Sequence, residues 1–219
     1  PPDPTNLFER LEQLNQIGVA LSKETDINRL LEAILVAAQK ITHADGGTLY
    51  RMTEERTLKF EIMRNDTLGI AMGGTTGTSI PFYPLHLFDK EGAPITSMVA
   101  VYAVHHDESV NIADAYTEEG FDFSGTKNFD KKTGYRSQSF LTVPMKNHEN
   151  EIIGVLQLLN AKDAASGKVT AFSKEDQQLA ESLASQAAIA LTTRLLINHL
   201  ENLFESFINL INAAIDDKS

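Results

Sequence analysis

The chain contains no cysteine in its 219 residues. Disulfides, thiolate zinc sites, cysteine nucleophiles and thioether-linked pigments are therefore excluded. Basic residues are also scarce, with 19 Lys+Arg against 30 Asp+Glu and a net charge of -11. Non-specific nucleic-acid or anionic-membrane binding needs a basic footprint, so neither partner is expected. No apolar run approaches the roughly 20 residues of a membrane span. The opening Pro1-Pro2-Asp3-Pro4 also lacks the layout of a signal peptide. What is present is 42% hydrophobic and 22% charged residues, enough in a chain of this length to bury a core without staples. These features predict a cytoplasmic, acidic, non-redox α/β domain.

Two amphipathic helices open the chain. Thr5-Asn6 can cap the first, whose Leu7, Phe8, Leu11, Leu14, Ile17 and Leu21 keep a three-and-four spacing. Thr25 or Asp26 caps the second, with Leu30, Leu31, Ile34, Leu35, Ala38 and Ile41 on one face. Asp45-Gly46-Gly47 reads as a break, followed by strands over 48–53 and 58–62. Residues 66–79 read as a glycine-rich loop, and 80–87 as an edge strand because Pro81 and Pro84 suit no central position. A short helix carries Met98, Val101, Tyr102 and His105; 110–112 is a strand stub, and 113–135 a polar, aromatic-studded connector. Strands over 139–146 and 152–159 form a hairpin, the second apolar enough to be central. After a loop at 161–171, Ser173 to Asp176 resembles a capping box.

From there no proline or glycine interrupts the helix to Ser219, a reach of about 65 Å at 1.5 Å per residue. Leu179, Leu183, Gln186, Ala190, Thr193, Ile197, Leu200, Phe204, Phe207, Ile211 and Ala214 follow alternating steps of four and three, which is coiled-coil spacing. Its first half can pack on the chain's own sheet. Beyond Leu195 there is no sheet left to cover, so we expect a parallel homodimer with Leu196 to Ile215 as its main seam, joined by the first helix.

Several stretches, in order, resemble the GAF family. Ala44 to Tyr50 is similar to its first-strand entry, and Thr133-Gly-Tyr-Arg-Ser-Gln-Ser-Phe-Leu-Thr-Val-Pro-Met145 to its fourth-strand signature. Ile152 to Asn160 resembles its fifth strand, and Phe172 to Asp176 with Ala184 to Leu191 its closing helix. The resemblance implies an α+β fold: an antiparallel sheet with helices on one face and a ligand pocket under loops on the other, flanked by long terminal helices. It implies a terminal signalling helix over 1–24, a GAF domain over 25–195, and a helix over 196–219 leading to an effector. Leu203 to Ser219 further resembles the entry helix of HD-type phosphohydrolases, HD-GYP proteins included, whose metal-binding residues follow that helix. The implied function is a non-catalytic sensory domain that binds a small molecule and controls an HD-type phosphodiesterase. The competing reading is a ligand-free dimerisation or scaffold module.

The residues themselves show little catalytic chemistry. His105-His106-Asp107 contains a His-Asp pair, but a metal site needs three or four converging ligands, and a solvated turn is expected. Gly69 to Gly77 lacks the Lys-Ser/Thr of a phosphate-binding loop. GAF-fold methionine sulfoxide reductases use cysteines, which this chain lacks. Cyclic-nucleotide-binding GAF domains carry a dispersed Asn-Lys-Phe-Asp-Glu motif. Asn111, Phe121 and Asp130 resemble its Asn, Phe and Asp, whereas its Lys and Glu positions hold Ala113 and Lys131. A cyclic nucleotide is thus one candidate ligand and another small molecule the alternative, with no covalent pigment. Gln157 is a polar amide on an apolar strand face and needs a partner: a ligand, a water or a neighbouring backbone group. Thr133, Tyr135 and Ser139 are further polar lining candidates.

Overall fold

The computed structural model describes residues 4–218. Two helices, α1 (Pro4–Lys23) and α2 (Ile27–Thr42), precede β1 (Ala44–Met52), β2 (Thr57–Asn65), β3 (Ile70–Gly73) and β4 (Leu85–His86). Then come α3 (Val99–His106), β5 (Val110–Ile112), α4 (Ser124–Thr133), the hairpin β6 (Phe140–Lys146) and β7 (Ile152–Lys162), β8 (Val169–Thr170), and α5 (Lys174–Asp216). The strands form one antiparallel sheet in the order β3-β2-β1-β7-β6-β5, with β4 paired to β2 and β8 to β7.

Local chemistry sets the helix ends. Asp26 accepts the Arg29 backbone N–H at 2.9 Å to start α2, and His43 ends it in the left-handed region. Ser173 and Asp176 exchange side-chain-to-backbone hydrogen bonds at 3.0 Å, the reciprocal capping box expected for α5. That helix runs 43 residues, about 65 Å. Leu30, Ile34, Leu35 and Ile41 of α2 meet Leu179, Leu183 and Leu191 of α5 over Leu49, Ile62, Leu141, Leu156 and Leu158. The main core therefore lies between the helices and one face of the sheet.

Several elements depart from the sequence expectation. Gly46 and Gly47 do not break the chain: they lie inside β1, where added Cβ atoms would strike the backbones of Arg64 and Gln157. Their turn-like composition reflects close backbone approach within a strand. The glycine-rich segment contributes β3, which pairs with residues 62–65 of β2. Only Leu85–His86 of the expected edge strand is extended into the ladder, because Pro81 and Pro84 supply no donors. The connector contains the ten-residue α4, closed by Gly134 at φ 71°.

The first half of α5 packs on the chain's own sheet as expected, with Leu179 and Leu183 buried in the domain core. Arg10 bonds Asp176 at 2.5 Å, while Gly18 lies against Gln186. Helix α1 thus runs parallel to the first part of α5 and ends before the extension begins, so it does not join Leu196 to Ile215. Among the described residues no helix is long and apolar enough to cross a membrane.

Candidate functional site

The sheet face turned away from α2 and α5 holds two apolar clusters with a polar row between them. Tyr50, Leu58, Leu87, Ala100, Val101 and Val155 form one cluster under α3. Val99, Ile112, Ala115, Phe123 and Phe140 form the other, beside α4. Strand register places Thr48 opposite Gln157, and Gln157 opposite Thr142. Gln157 donates from Nε2 to the Thr142 hydroxyl at 3.0 Å. Its amide thus has a side-chain partner, and Gln157 remains half-buried while Thr142 is closed off. Strand alternation alone would put Ile153 on the same face as Gln157, but it packs on the helix-side core because the β6–β7 register shifts beside it.

At the end of the sheet where β1 begins and β7 ends, loop 134–139 is held by three polar hubs. Asp130, buried at the end of α4, accepts from the Tyr116 hydroxyl at 2.7 Å and from the Ser137 N–H and hydroxyl, each at 2.8 Å. Asn160, at φ 54°, accepts from the Gln138 and Ser139 N–H groups and donates to Tyr135 and to the Arg136 carbonyl. Asp45 accepts from Tyr135 at 2.6 Å, Lys162 at 2.6 Å and Thr67 at 2.8 Å. Burial opposes its charge, but hydrogen bonds from Lys162, Tyr135 and Thr67 outweigh it and hold its carboxyl below the ordinary value. Burial first, and donation to Asp45 second, push the Tyr135 phenol upward. Lys162 and Asp45 also border a cleft of about 480 Å³ with Arg10, Lys40, His43 and Asp66.

The structure brings some candidate residues together and separates others. Tyr135 and Ser139 converge on Asn160, and Asp130 reaches the same loop through Ser137. Ser139 is fully buried and donates to the Thr170 carbonyl at 2.7 Å. Thr133 is exposed and bonds the Phe129 carbonyl within α4. Phe121 stands in an aromatic run, 5.2 Å from Tyr102 and 6.4 Å from Phe123. Asn111 turns to the helix-covered side, donating to the Phe172 carbonyl at 3.1 Å and to Gln177 at 3.3 Å. It does not meet Phe121 or Asp130 across the sheet.

Sequence reasoning missed Thr48, Thr142, Asp45, Asn160 and Lys162. Only register reveals the first two, since each threonine looks ordinary within its strand. The expected solvated turn at His105 is also different: its Nε2 lies 2.7 Å from the Leu87 carbonyl, fastening α3 to the β4 segment. Among the described residues no group of three or more His, Asp or Glu is placed to hold a metal.

An antiparallel sheet covered by terminal helices on one face and by short helices and loops on the other defines an α+β class of domain. The chain belongs to the GAF domain family, whose profile matches residues 26–191. Such domains are typically regulatory rather than catalytic. The chain is 31% identical over 148 residues to a cGMP-specific 3',5'-cyclic phosphodiesterase of Drosophila sechellia, covering 64% of this chain and 11% of that protein. It is 35% identical over 91 residues to the dual 3',5'-cyclic-AMP and -GMP phosphodiesterase 11A of Takifugu rubripes, covering 42% and 9%. It thus spans about a tenth of the length of these relatives. Among solved structures, the GAF domain of a Coxiella burnetii phosphoenolpyruvate-protein phosphotransferase superposes with a TM-score of 0.63 at 14% identity, covering 90% of this chain and 99% of that one. The free methionine-R-sulfoxide reductase of Neisseria meningitidis gives 0.59 at 14% identity, covering 86% and 91%.

Proposed function

We propose that this GAF domain is a sensor that binds a small molecule on the loop-covered sheet face and controls an attached effector. The observation carrying this reading is the polar row Thr48–Gln157–Thr142, set between two apolar clusters on the sheet face opposite the main core. A half-buried amide flanked by hydroxyls suits a neutral polar edge of a ligand, and Phe121 and Tyr102 suit a flat ring. Tyr135, Thr133, Asp130 and Ser139 belong to the lid and its hinge in this reading; Asn111 acts from the opposite side, by tying β5 to α5. Cyclic nucleotides are the first class to test, because the named relatives are cyclic-nucleotide phosphodiesterases.

In the same proposal residues 1–24 form a signalling helix, 25–195 the sensor, and 196–219 a helix leading to an HD-type phosphodiesterase in the cytoplasm. Two chains pair in parallel through α5. A ligand moves this arrangement only if it binds one helix packing more tightly than another.

The competing scaffold reading is favoured by Leu58, Leu87, Val101 and Val155, which already fill part of the loop-side face. Native mass spectrometry of freshly purified protein separates the two. A dimer carrying a small molecule is expected; a dimer that stays empty, and shows no slowing of amide exchange over 113–135 with any cyclic nucleotide at saturating concentration, overturns the sensor reading. Cyclic-nucleotide hydrolysis by this chain is not expected.

A further inference from the structure

The cleft of about 480 Å³ opens where α1, the end of α2 and the ends of β1, β2 and β7 meet, and it shares no lining residue with the Thr48–Gln157–Thr142 row. Its charges are divided by origin. Arg10, Lys40 and His43 come from α1 and the end of α2, whereas Asp66 and Asp163 lie just past β2 and β7. Asp45 and Lys162 satisfy each other at 2.6 Å. The other groups are incompletely matched. Lys40 and His43 are exposed, and among the described residues their side chains make no hydrogen bond or ion pair. Asp66 finds its cation, Arg64, only at 3.8 Å. Asp163 accepts from Ser166, three residues on, and meets no cation among the described residues. Arg10 spends one nitrogen, Nη2, on both the Ile41 carbonyl and Asp176.

Cations on the helix wall and carboxylates on the strand wall are complementary to a molecule that carries both charges a few bonds apart. A singly charged molecule satisfies one wall and sets a like charge against the other. The field of the whole chain favours the same choice. A net charge of -11 repels free anions, whereas a molecule with one charge of each sign has no net charge to repel. The volume falls within the range of small-molecule pockets, and apolar surface comes only from Ile41, Ala44 and Ala164 beside the aliphatic stems of longer side chains. The occupant that fits is small and polar.

We infer that this cleft is a second binding site, for a small polar zwitterion of the free amino acid class, with the carboxylate on Arg10 and Lys40 and the ammonium on Asp66 and Asp163. It is independent of any ligand on the loop-covered face. Charge-assisted hydrogen bonds at both ends fix the ligand's direction as well as its position. An occupant bridges the helical layer to the strand ends at the place where Arg10 already fastens α1 to α2 and α5. It therefore holds α1 against the domain. It also lies beside Asp45, which accepts from Tyr135 of loop 134–139, so the cleft and the loop share one carboxylate.

Calorimetry with L-serine, L-glutamine, L-glutamate and L-arginine, each alone, tests this. At least one is expected to bind with a Kd below about 1 mM; if none does, the site is overturned and the sensor reading is untouched. Propionate and ethylamine carry one charge each and should not bind at the same concentration. Either of them binding as tightly as the best amino acid overturns the zwitterion. Lys40→Ala and Asp66→Asn change exposed residues and should leave the urea midpoint where it is. Each should weaken the best amino acid about tenfold, the loss of one hydrogen bond to a charged group; undiminished binding in both overturns the site. With that amino acid at saturation, amide exchange should slow over 8–13 and 40–45 and stay unchanged over 98–106. Slowing over 98–123 with no change at 8–13 and 40–45 puts the amino acid on the loop-covered face, which overturns the second site and leaves the sensor reading standing.

Discussion

The two faces of the sheet are built on different principles. The helix-covered face is a continuous apolar layer, with Ile34, Leu35, Leu156 and Leu158 all inaccessible to solvent. The loop-covered face alternates apolar clusters with polar hubs, and its order depends on Asp45, Asp130 and Asn160 accepting several donors each. Burial of apolar area is non-directional and tolerates no local opening without loss of the core. Hydrogen-bonded loops can open one segment at a time at lower cost. One face therefore holds the domain together while the other is free to respond.

The comparison predicts effects of decreasing size. Leu156→Ala should cost about 2–5 kcal/mol, the range for a truncated core leucine, measured by urea unfolding; a loss under 1 kcal/mol would break the distinction between faces. Asp130→Ala removes the acceptor of three hydrogen bonds. It should cost about 2–3 kcal/mol and speed amide exchange over 116–137 while β1 and β7 stay protected. Uniformly faster exchange would show that the lid is not a separate unit.

Asp45 gives a pH signature. Its carboxyl sits below its ordinary value of 3.8, so its contribution is complete above about pH 4 and disappears as pH falls through the lowered value. Tyr135, raised from 10.0, contributes fully below pH 10 and loses that contribution as pH rises beyond it. Asp45→Asn should flatten the acid limb of a thermal-stability profile, and an unchanged limb would remove Asp45 as a hub. Gln157→Leu should have the smallest effect on stability, within about 1 kcal/mol, because one neutral hydrogen bond is lost. The same variant should weaken whatever ligand is found on that face by tenfold or more in calorimetry.

Much of the helical layer was legible in advance. Asp26 and Ser173 announced their helices because a capping side chain acts on a backbone N–H three residues away, a purely local event. The hairpin β6–β7 was visible from its apolar runs. The glycines of β1 misled, because a close approach between strands looks in sequence like a turn. The ten residues of α4 were hidden because only Asp130 among them is buried; without an apolar face there is no periodicity to read. At the site, Gln157 stood out as polar among apolar neighbours, whereas Thr48 and Thr142 did not, and nothing near Asn111 in sequence tells which side of the sheet it faces.

By itself, then, the sequence determined the order of the long helices and of the main strands, the capped helices, the acidic balance and the uninterrupted striped helix as far as Asp216. Each follows from interactions within a few residues or from composition. The tertiary structure alone decided which polar residues meet: Asp45 with Lys162 across 117 positions, Tyr135 with Asp45 across 90, and Asn111 with α5 rather than with Asp130. Strand register and the side of the sheet set those meetings, and a one-residue shift in either reverses them.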